Sequence, residues 1–262
     1  MTIMNKEENV KAQYADDEKL SVRIKLHAKH STNKQGFFPW LFEQYAFHEN
    51  DRILELGCGN GAQWEGQISG LPKGCTLLLS DLSQGMLDGV VKKYAGHENV
   101  SFERIDIQDI GYPDESFDIV IANQMLYHVP DIDKGLSEVS RVLKRGGTFY
   151  ASTNGNGGMR PFLHDALRRI DLETTAFTEL WAFSMQNGAE MLRRYFIDVK
   201  RVERRDSLSV TETQDLIDWI KSTISSCSET QADALYSYFE EMRVKEGAIN
   251  IEKEGCLFVC VK

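Results

Sequence analysis

Several residue types are scarce in this sequence, and each scarcity excludes a class of protein. There are five prolines and five cysteines among 262 residues, and no two cysteines form a Cys-x-x-C pair. The cysteines therefore predict neither a disulfide framework nor a zinc site, and we expect reduced thiols and no metal. No apolar run approaches the roughly 20 residues that span a bilayer, and no apolar core of signal-peptide type follows Met1. We expect a cytoplasmic protein with no membrane partner.

Basic side chains are outnumbered by acidic ones. There are 30 Lys plus Arg against 40 Asp plus Glu, which is a formal net charge of −10. Affinity for nucleic acids comes mainly from Lys and Arg that neutralise phosphates. The stretch 160–205, where a basic patch could lie, carries nine basic and seven acidic side chains, which is typical of a mixed, solvated surface. The charge weighs against a nucleic-acid partner.

Short, nearly continuous apolar runs alternate with helical patterns from residue 52 onwards. Such runs are typical of parallel strands that helices cover on both faces. The predicted strands lie at 52–57, 76–81, 100–106, 117–123, 147–153, 195–205 and 256–261. The last run arrives without a crossover helix, which favours an antiparallel strand. We therefore predict an α/β fold with a doubly wound, mostly parallel, Rossmann-like seven-stranded sheet, an antiparallel C-terminal strand, N-terminal helices and a helical insertion.

A glycine-rich turn follows the first predicted strand. In Glu55-Leu56-Gly57-Cys58-Gly59-Asn60-Gly61-Ala62 the glycines let the backbone turn tightly and approach a ligand closely. The same residues satisfy the G-x-G-x-x-A form of a dinucleotide fingerprint. Asp81, at the end of the second strand, can accept hydrogen bonds from a ribose diol in either case. The pattern predicts an adenosine-type cofactor without choosing among them.

The motifs around this turn resemble the class I S-adenosylmethionine-dependent methyltransferases, most closely the branch of ubiquinone/menaquinone-type and other small-molecule methyltransferases. They occur in the family's order over about residues 50–153, as the glycine turn, Asp81-Leu82-Ser83-x-x-Met86-Leu87, Asp106, Ser116-Phe117-Asp118-Ile119-Val120 and Arg141-Val142-Leu143-Lys144-Arg145-Gly146-Gly147. The resemblance implies S-adenosylmethionine as cofactor, S-adenosylhomocysteine as product, and methyl transfer to a small-molecule acceptor by in-line displacement. O- or N-methylation is the expected reaction, with C-methylation open.

The resemblance also implies roles for the residues of the glycine turn. The backbone of Gly57, Cys58, Gly59 and Gly61 is expected against the methionine and ribose part of the cofactor. Glu55 is expected near its ammonium group. A turn that serves packing alone is the alternative interpretation.

Residues after the second and third strands are expected to hold the adenosine end. Asp81 is implied to bind the ribose hydroxyls, with Leu82 and Met86 beside the adenine. Asp106 is implied to accept from the adenine amino group, and the Ile107 backbone to meet the ring edge. Met86 has a plain alternative, because a methionine one turn into a helix also fits a core position.

The end of the fourth strand is expected to face the acceptor. The family implies that Asn123 lies beneath the sulfonium, and His128 is our candidate general base, because imidazole titrates near neutrality. A packed or helix-capping histidine is the alternative. Asn123-Gln124-Met125-Leu126 lacks the Asn/Asp-Pro-Pro-aromatic string that is typical of methyltransferases acting on nucleobase amino groups. This absence and the acidic charge both disfavour a nucleic-acid acceptor.

We expect one domain over 1–262, with a helical lid at 1–50, the cofactor-binding core at 51–153, helical substrate-side additions with one strand at 154–248 and the C-terminal strand at 249–262. Helices are predicted at 37–48, 160–194 and 211–247. Arg23 and His27 stand four residues apart, on one face of a helix. We interpret them as a solvated face, and contact with the cofactor carboxylate or with an anionic acceptor is the alternative.

Two alternatives of other classes stay open. A nicotinamide-dependent oxidoreductase can use the same glycine turn, although no second nucleotide-binding half is evident after residue 153. A non-catalytic S-adenosylmethionine-binding regulatory module is also compatible, since the sequence contains no acceptor signature.

Overall fold

The computed structural model describes residues 18–171, 173–224 and 227–262. Its strands are β1 (Arg52–Leu56), β2 (Thr76–Asp81), β3 (Val100–Arg104), β4 (Phe117–Asn123), β5 (Leu143–Asn154), β6 (Asp198–Glu203), β7 (Asp206–Val210), β8 (Ile249–Lys253) and β9 (Gly255–Val261). Its helices are α1 (Glu18–His30), α2 (Phe37–Phe42), α3 (Gln84–Tyr94), α4 (Ile132–Val142), α5 (Met159–Arg168), α6 (Gly188–Leu192), α7 (Thr213–Thr223) and α8 (Glu229–Glu246). Short 3₁₀ turns occupy Ala62–Trp64, Ile68–Gly70 and Leu126–His128.

The main sheet has seven strands in the order β3-β2-β1-β4-β5-β9-β6. The first five are mutually parallel, and β9 runs antiparallel to both of its neighbours. The predicted α/β fold, with its mostly parallel sheet and antiparallel C-terminal strand, is confirmed. The strand order reverses between β1 and β4, and ligands of such sheets bind outside the carboxyl ends of the strands at this point.

Two hydrophobic clusters cover the faces of this sheet. One packs α4 and the chain around Phe183 and Phe196 against strands β1, β4, β5 and β9. The other packs α2 and Trp64 against the opposite face. The strands are therefore buried on both sides, which is why they have continuous rather than alternating apolar sequences.

A third cluster lies apart from the sheet and forms what we call the cap. The cap consists of α1, α5, α7, α8, β7 and β8, and its buried side chains include Leu26 of α1 and Leu216 of α7. At the end of α1, Lys29 Nζ and His30 Nε2 lie 2.6 and 2.8 Å from Asp215 of α7. The N-terminal helix and the later insertion are thus one packed unit.

In the last third of the chain the strands differ from the predicted ones in two places. The run at 195–205, predicted as one strand, contains β6, and β7 follows it at residues for which no strand was predicted. The segment 249–262, predicted as one C-terminal strand, forms β8 and β9. Strands β7 and β8 pair with each other as a separate antiparallel sheet. In β8 buried and exposed side chains alternate, because one face packs on the cap helices. This alternation is the pattern of a half-buried strand, and a search for continuous apolar runs misses it.

Two predicted helices are shorter than expected. The helix predicted at 37–48 ends at Phe42, and Phe42 and Phe47 instead pack their rings against Trp64. In the described part of 160–194, α5 and α6 are the helical segments, and the described residues between them are turns and irregular chain. After Phe42, the aromatic contacts with Trp64 override the local helical periodicity. Among the described residues, no helix has the length and apolar character needed to cross a membrane.

Candidate active site

The glycine turn joins β1 to the 3₁₀ turn at Ala62–Trp64. Gly57, Gly59 and Gly61 have φ of 68°, 56° and 69°, a region that L side chains rarely adopt. A Cβ at Gly61 would lie 2.8 Å from the Tyr94 ring, whose hydroxyl donates to the Gly61 carbonyl at 2.8 Å. At Gly57 a Cβ would lie 3.0 Å from the side chain of Met125. The turn therefore requires glycine by conformation and by space. Cys58, between two of these glycines, is buried, and burial raises the pKa of its thiol.

The carboxylate of Asp81 closes the turn from the end of β2. Its Oδ2 accepts from the Gly59 N–H at 2.9 Å and its Oδ1 from the Ser83 N–H at 2.8 Å. Burial raises the pKa of Asp81, and these backbone donors oppose that shift. A carboxylate oxygen can accept more than one hydrogen bond, so both oxygens retain acceptor capacity for a ribose diol.

Glu55 lies beneath the turn and is 3% exposed. Trp64 donates its indole N–H to Glu55 Oε2 at 2.5 Å. Burial raises the pKa of Glu55 to about 8, although the bond from Trp64 acts in the opposite direction. The charged form of Glu55 is therefore disfavoured until a cation or another donor reaches it.

The residues predicted for adenine lie around the ends of β2 and β3. Leu82 is partly exposed, whereas Met86 is 2% exposed within α3. Asp106 follows β3 by two residues, and its carboxylate accepts from the backbone and side chain of Gln108. Ile107 is buried beside it. The topology thus gathers these residues at one edge of the sheet, and their roles toward adenine stay predictions.

A network of amides and hydroxyls surrounds the end of β4. Asn123 Nδ2 donates to the Tyr45 hydroxyl and to Gln63 Oε1, each at 2.7 Å. Gln63 is 5% exposed and follows Gly61 by two residues. Neither Gln63 nor Tyr45 was predicted as a site residue. For Gln63 the available signal was a glutamine in the turn directly after the glycine motif. For Tyr45 there was none, because nothing in the nearby sequence connects it with β4.

An aromatic wall formed by Tyr127, His128 and Trp181 lies beyond the carboxyl end of β4. The rings of Tyr127 and Trp181 are 4.2 Å apart, and that of His128 is 4.6 Å from Tyr127. The Arg160 guanidinium of α5 stands 4.5 Å over Trp181. Burial lowers the pKa of Arg160. The wall joins the turn at Leu126–His128 in the core to α5 of the cap. The sequence predicted His128 as a site residue but not Arg160.

The pair Arg23 and His27 of α1 is not the solvated face that we predicted. Both side chains are partly buried, and the His27 ring meets Trp219 of α7 edge-on at 6.4 Å. Burial lowers the pKa of His27 to about 3. This residue contributes to the seam between α1 and the rest of the cap.

Comparisons with known proteins agree with this architecture. A family model described as "Methyltransferase domain" matches residues 54–151. The chain is 36% identical over 97 residues to a demethylmenaquinone methyltransferase of Clavibacter sepedonicus, covering 37% of this chain and 38% of that protein. It is 33% identical over 137 residues to the EEF1A lysine methyltransferase 4 of Mus musculus, covering 46% and 52%. The chain thus spans about half or less of the length of these curated relatives.

Solved structures support the fold. The YcgJ protein of Bacillus subtilis superposes with a TM-score of 0.60 at 17% identity, covering 86% of this chain and 97% of that one. At this identity the likeness concerns the fold alone. It extends well beyond residues 54–151, so the sheet and much of its surroundings are shared with a known architecture.

Proposed function

We propose, from the premise that residues 54–151 are a class I S-adenosylmethionine-dependent methyltransferase domain, that this protein transfers a methyl group from S-adenosylmethionine to a small-molecule acceptor. The observation that carries the proposal is the left-handed glycine turn at the β1/β4 switch point, with Asp81 bonded across it to Gly59. O- or N-methylation is the proposed reaction.

The residues around the turn fit this cofactor. The three left-handed glycines leave a backbone cradle in which side chains would clash, and Asp81 offers acceptor capacity toward a ribose. Buried amide atoms at Gln63 and Asn123 have no hydrogen-bond partner among the described residues. A polar ligand supplies both needs. When bound, the cofactor supplies an activated methyl group on a sulfonium, so the protein has to align the acceptor, exclude water and take up a proton where the acceptor is a hydroxyl.

The acceptor is proposed to lie between the aromatic wall and the end of β4. The indole N–H of Trp181 is buried and has no hydrogen-bond acceptor in the described part of the chain, which supports a ligand with an oxygen or nitrogen acceptor. A relative named for demethylmenaquinone supports a small organic acceptor. Another relative is named as a lysine methyltransferase of EEF1A, so a protein acceptor is the main alternative to a small molecule.

His128 is proposed as the base that takes the acceptor's proton. It lies in the turn directly after β4, beside Tyr127 and the wall. A positioned general base contributes typically about 10²–10⁴-fold to rate. We therefore expect His128→Ala to lower kcat on a hydroxyl acceptor at least tenfold and to leave S-adenosylhomocysteine affinity unchanged. His97→Ala, an exposed histidine after α3, is the control, and unaltered turnover in His128→Ala would refute the role.

Binding calorimetry with S-adenosylhomocysteine and with NADH tests the donor. We expect the first to bind and the second not to bind, whereas NADH binding alone would support the oxidoreductase that the comparisons disfavour. Transfer of labelled methyl into metabolite, protein and tRNA fractions then tests the acceptor. Label confined to the metabolite fraction is expected, and label confined to protein or tRNA would overturn the small-molecule proposal. An absence of transfer to all three despite donor binding would favour the regulatory module. The cytoplasmic location stays a prediction.

A further inference from the structure

Arg160 of α5 lies against two aromatic rings at the border of the core and the cap. Its guanidinium stands 4.5 Å from the centre of the Trp181 ring and 5.5 Å from that of Phe177. A cation within about 6 Å of a ring face is attracted to it. Arg160 Nη2 also donates to the Glu179 carbonyl at 2.7 Å. These contacts hold a positive charge beside the aromatic wall.

The indole of Trp181 has an unmet hydrogen-bond donor beside this charge. Its Nε1 is buried and has no acceptor among the residues that the structure describes. Burial lowers the pKa of Arg160, and the nearby charge of Glu179 opposes this shift. The Glu179 carboxylate nevertheless does not accept from the indole. Because an indole N–H can only donate and buried donors are nearly always paired, the pair leaves a place for an oxygen or nitrogen acceptor.

One anionic group can contact both residues. The guanidinium of Arg160 lies 4.5 Å from the centre of the ring that carries the Trp181 N–H. Hydrogen bonds of about 2.9 Å allow a single oxygen to contact two donors up to about 5 Å apart, and carboxylates and phosphates have several such oxygens. A guanidinium carries its donors in a planar fork and binds these anions more strongly than neutral acceptors. A neutral carbonyl satisfies the indole alone, so the pair favours an anion.

The pair of Arg160 and Trp181 lies on the acceptor side of the candidate site. The Trp181 ring is 6.5 Å from that of His128, the candidate base. The predicted ribose site at Asp81 ends β2, which β1 separates from β4. An anion bound at Trp181 and a methyl-accepting atom beside His128 are therefore two different groups of one small molecule.

We propose that the acceptor is an anion whose carboxylate or phosphate is bound by Arg160 and Trp181, while its methyl-accepting oxygen or nitrogen lies beside His128. The inference rests on the proposed function and narrows its acceptor to an anionic molecule. The accepting atom forms a bond to the methyl carbon as the carbon–sulfur bond breaks, the electron pair of that bond stays on sulfur, and the proton passes to His128. The product keeps its anionic group, because a different atom of the molecule is methylated.

The charge of the methylated product tests the class of acceptor. The full chain is incubated with methyl-labelled S-adenosylmethionine and a metabolite extract, and the labelled products are separated by anion exchange at neutral pH, before and after phosphatase treatment. We expect the exchanger to retain the label. Release of the label by phosphatase identifies a phosphate, and retention after the treatment identifies a carboxylate. Label confined to products that the exchanger does not retain would refute the proposal.

Two substitutions test the residues themselves. Arg160→Gln removes the charge, whereas Trp181→Phe keeps the ring and removes the indole N–H. We expect half-maximal transfer to require about tenfold more of the anionic fraction of the extract in Arg160→Gln and about threefold more in Trp181→Phe. The affinity for S-adenosylhomocysteine, measured by calorimetry, is expected to change by less than about twofold in both. Arg168→Gln, exposed in the last turn of the same helix, is the matched control and is expected to change neither quantity.

The outcomes separate this proposal from the proposed function. A folded Arg160→Gln that loses affinity for S-adenosylhomocysteine would place Arg160 at the donor and refute the assignment, as would an unchanged requirement for the anionic fraction in both variants. Either result leaves wild-type methyl transfer, and with it the proposed function, intact. A wild type that binds no S-adenosylhomocysteine, or that transfers no methyl to the extract, would overturn both. Should Arg160→Gln fail to fold by circular dichroism, the result for Trp181→Phe decides.

Discussion

The core and the cap of this protein are stabilised in different ways. In the core, β1 to β5 follow one another along the chain in one parallel sheet, where β2 pairs with β1 and β3, and β4 pairs with β5. In the cap, α1 packs with elements that begin more than 100 residues later, such as α5 and α7. The polar groups differ as well, because the core site combines amides and hydroxyls with the carboxylates of Glu55 and Asp81, whereas the cap buries a cluster of paired ions. The core therefore contains the candidate cofactor site, whereas the cap is a unit in which distant parts of the chain pack together.

The ionic cluster of the cap centres on Asp206. Its carboxylate contacts Arg204 and Lys253, the latter at 2.6 Å, and accepts from Ser31 Oγ at 2.5 Å. These cations hold the pKa of Asp206 well below its ordinary value despite the burial. Ser31 directly follows α1, so one carboxylate ties the N-terminal helix to β7 and β8.

The largest expected effect is therefore a loss of folding stability when the ionic cluster of the cap is broken. Asp206→Ala leaves two cations without their anion in a buried place, and breaking a buried ion pair costs about 3–5 kcal/mol. We expect urea unfolding to lose that much free energy, with Asp198→Ala, an exposed carboxylate of β6, as the control. If the two variants lose equal stability, the cluster does not hold the cap.

A smaller effect is expected at the ribose site of the core. Asp81→Ala removes the acceptor for Gly59 and for the proposed ribose, and hydrogen bonds to a charged group contribute about 1.5–3 kcal/mol each. We expect S-adenosylhomocysteine to bind roughly 10- to 100-fold more weakly. Asp88→Ala, exposed on α3, provides the comparison. Unchanged affinity in Asp81→Ala would remove this residue from the site.

Taken over one pH unit, the smallest effect is a pH dependence of stability that arises in the core. Burial raises the pKa of Glu55 from 4.5 to about 8, so the folded state holds a proton that the unfolded chain has lost between these values. The stabilisation is complete below the unfolded pKa and is lost as pH rises through about 8, with a slope of at most about 1.4 kcal/mol per pH unit.

Glu55→Gln isolates this contribution. The amide oxygen can still accept from Trp64, but the side chain no longer titrates. We expect the free energy of unfolding of Glu55→Gln to fall less between pH 5 and 8 than that of the ligand-free wild type. Glu65→Gln, an exposed glutamate, should follow the wild type. Parallel curves for all three proteins would contradict the raised pKa.

Prediction from sequence succeeded where the signal is local. The glycine spacing, the acid after β2 and the continuous apolar strands all lie within short windows, and they led to the sheet and the cofactor class. It failed at β7 and β8, whose alternation has meaning only once the cap helices cover one face. It also failed at the helix after Phe37, where ring contacts with Trp64 override the periodicity.

The residues of the candidate site also fall into two groups, those that a local pattern predicts and those that only the fold brings together. Gly57, Gly59, Gly61 and Asp81 are recognisable because backbone conformation and strand ends dictate their types. Gln63 and Tyr45 meet Asn123 only because β1 lies beside β4 in the folded sheet. Such contacts join residues up to 78 positions apart, so no local pattern records them.

The sequence by itself determined the α/β core, the order of its glycine turn and acids, and hence the adenosine-type cofactor, since these follow from backbone geometry and short-range periodicity. Only the tertiary structure decided that the N-terminal helix joins the later insertion in one cap, that an amide pair at β4 is left with an unmet donor and acceptor, and that Arg160 stands against the aromatic wall. The reason is physical: burial and pairing of polar groups depend on which distant segments pack together.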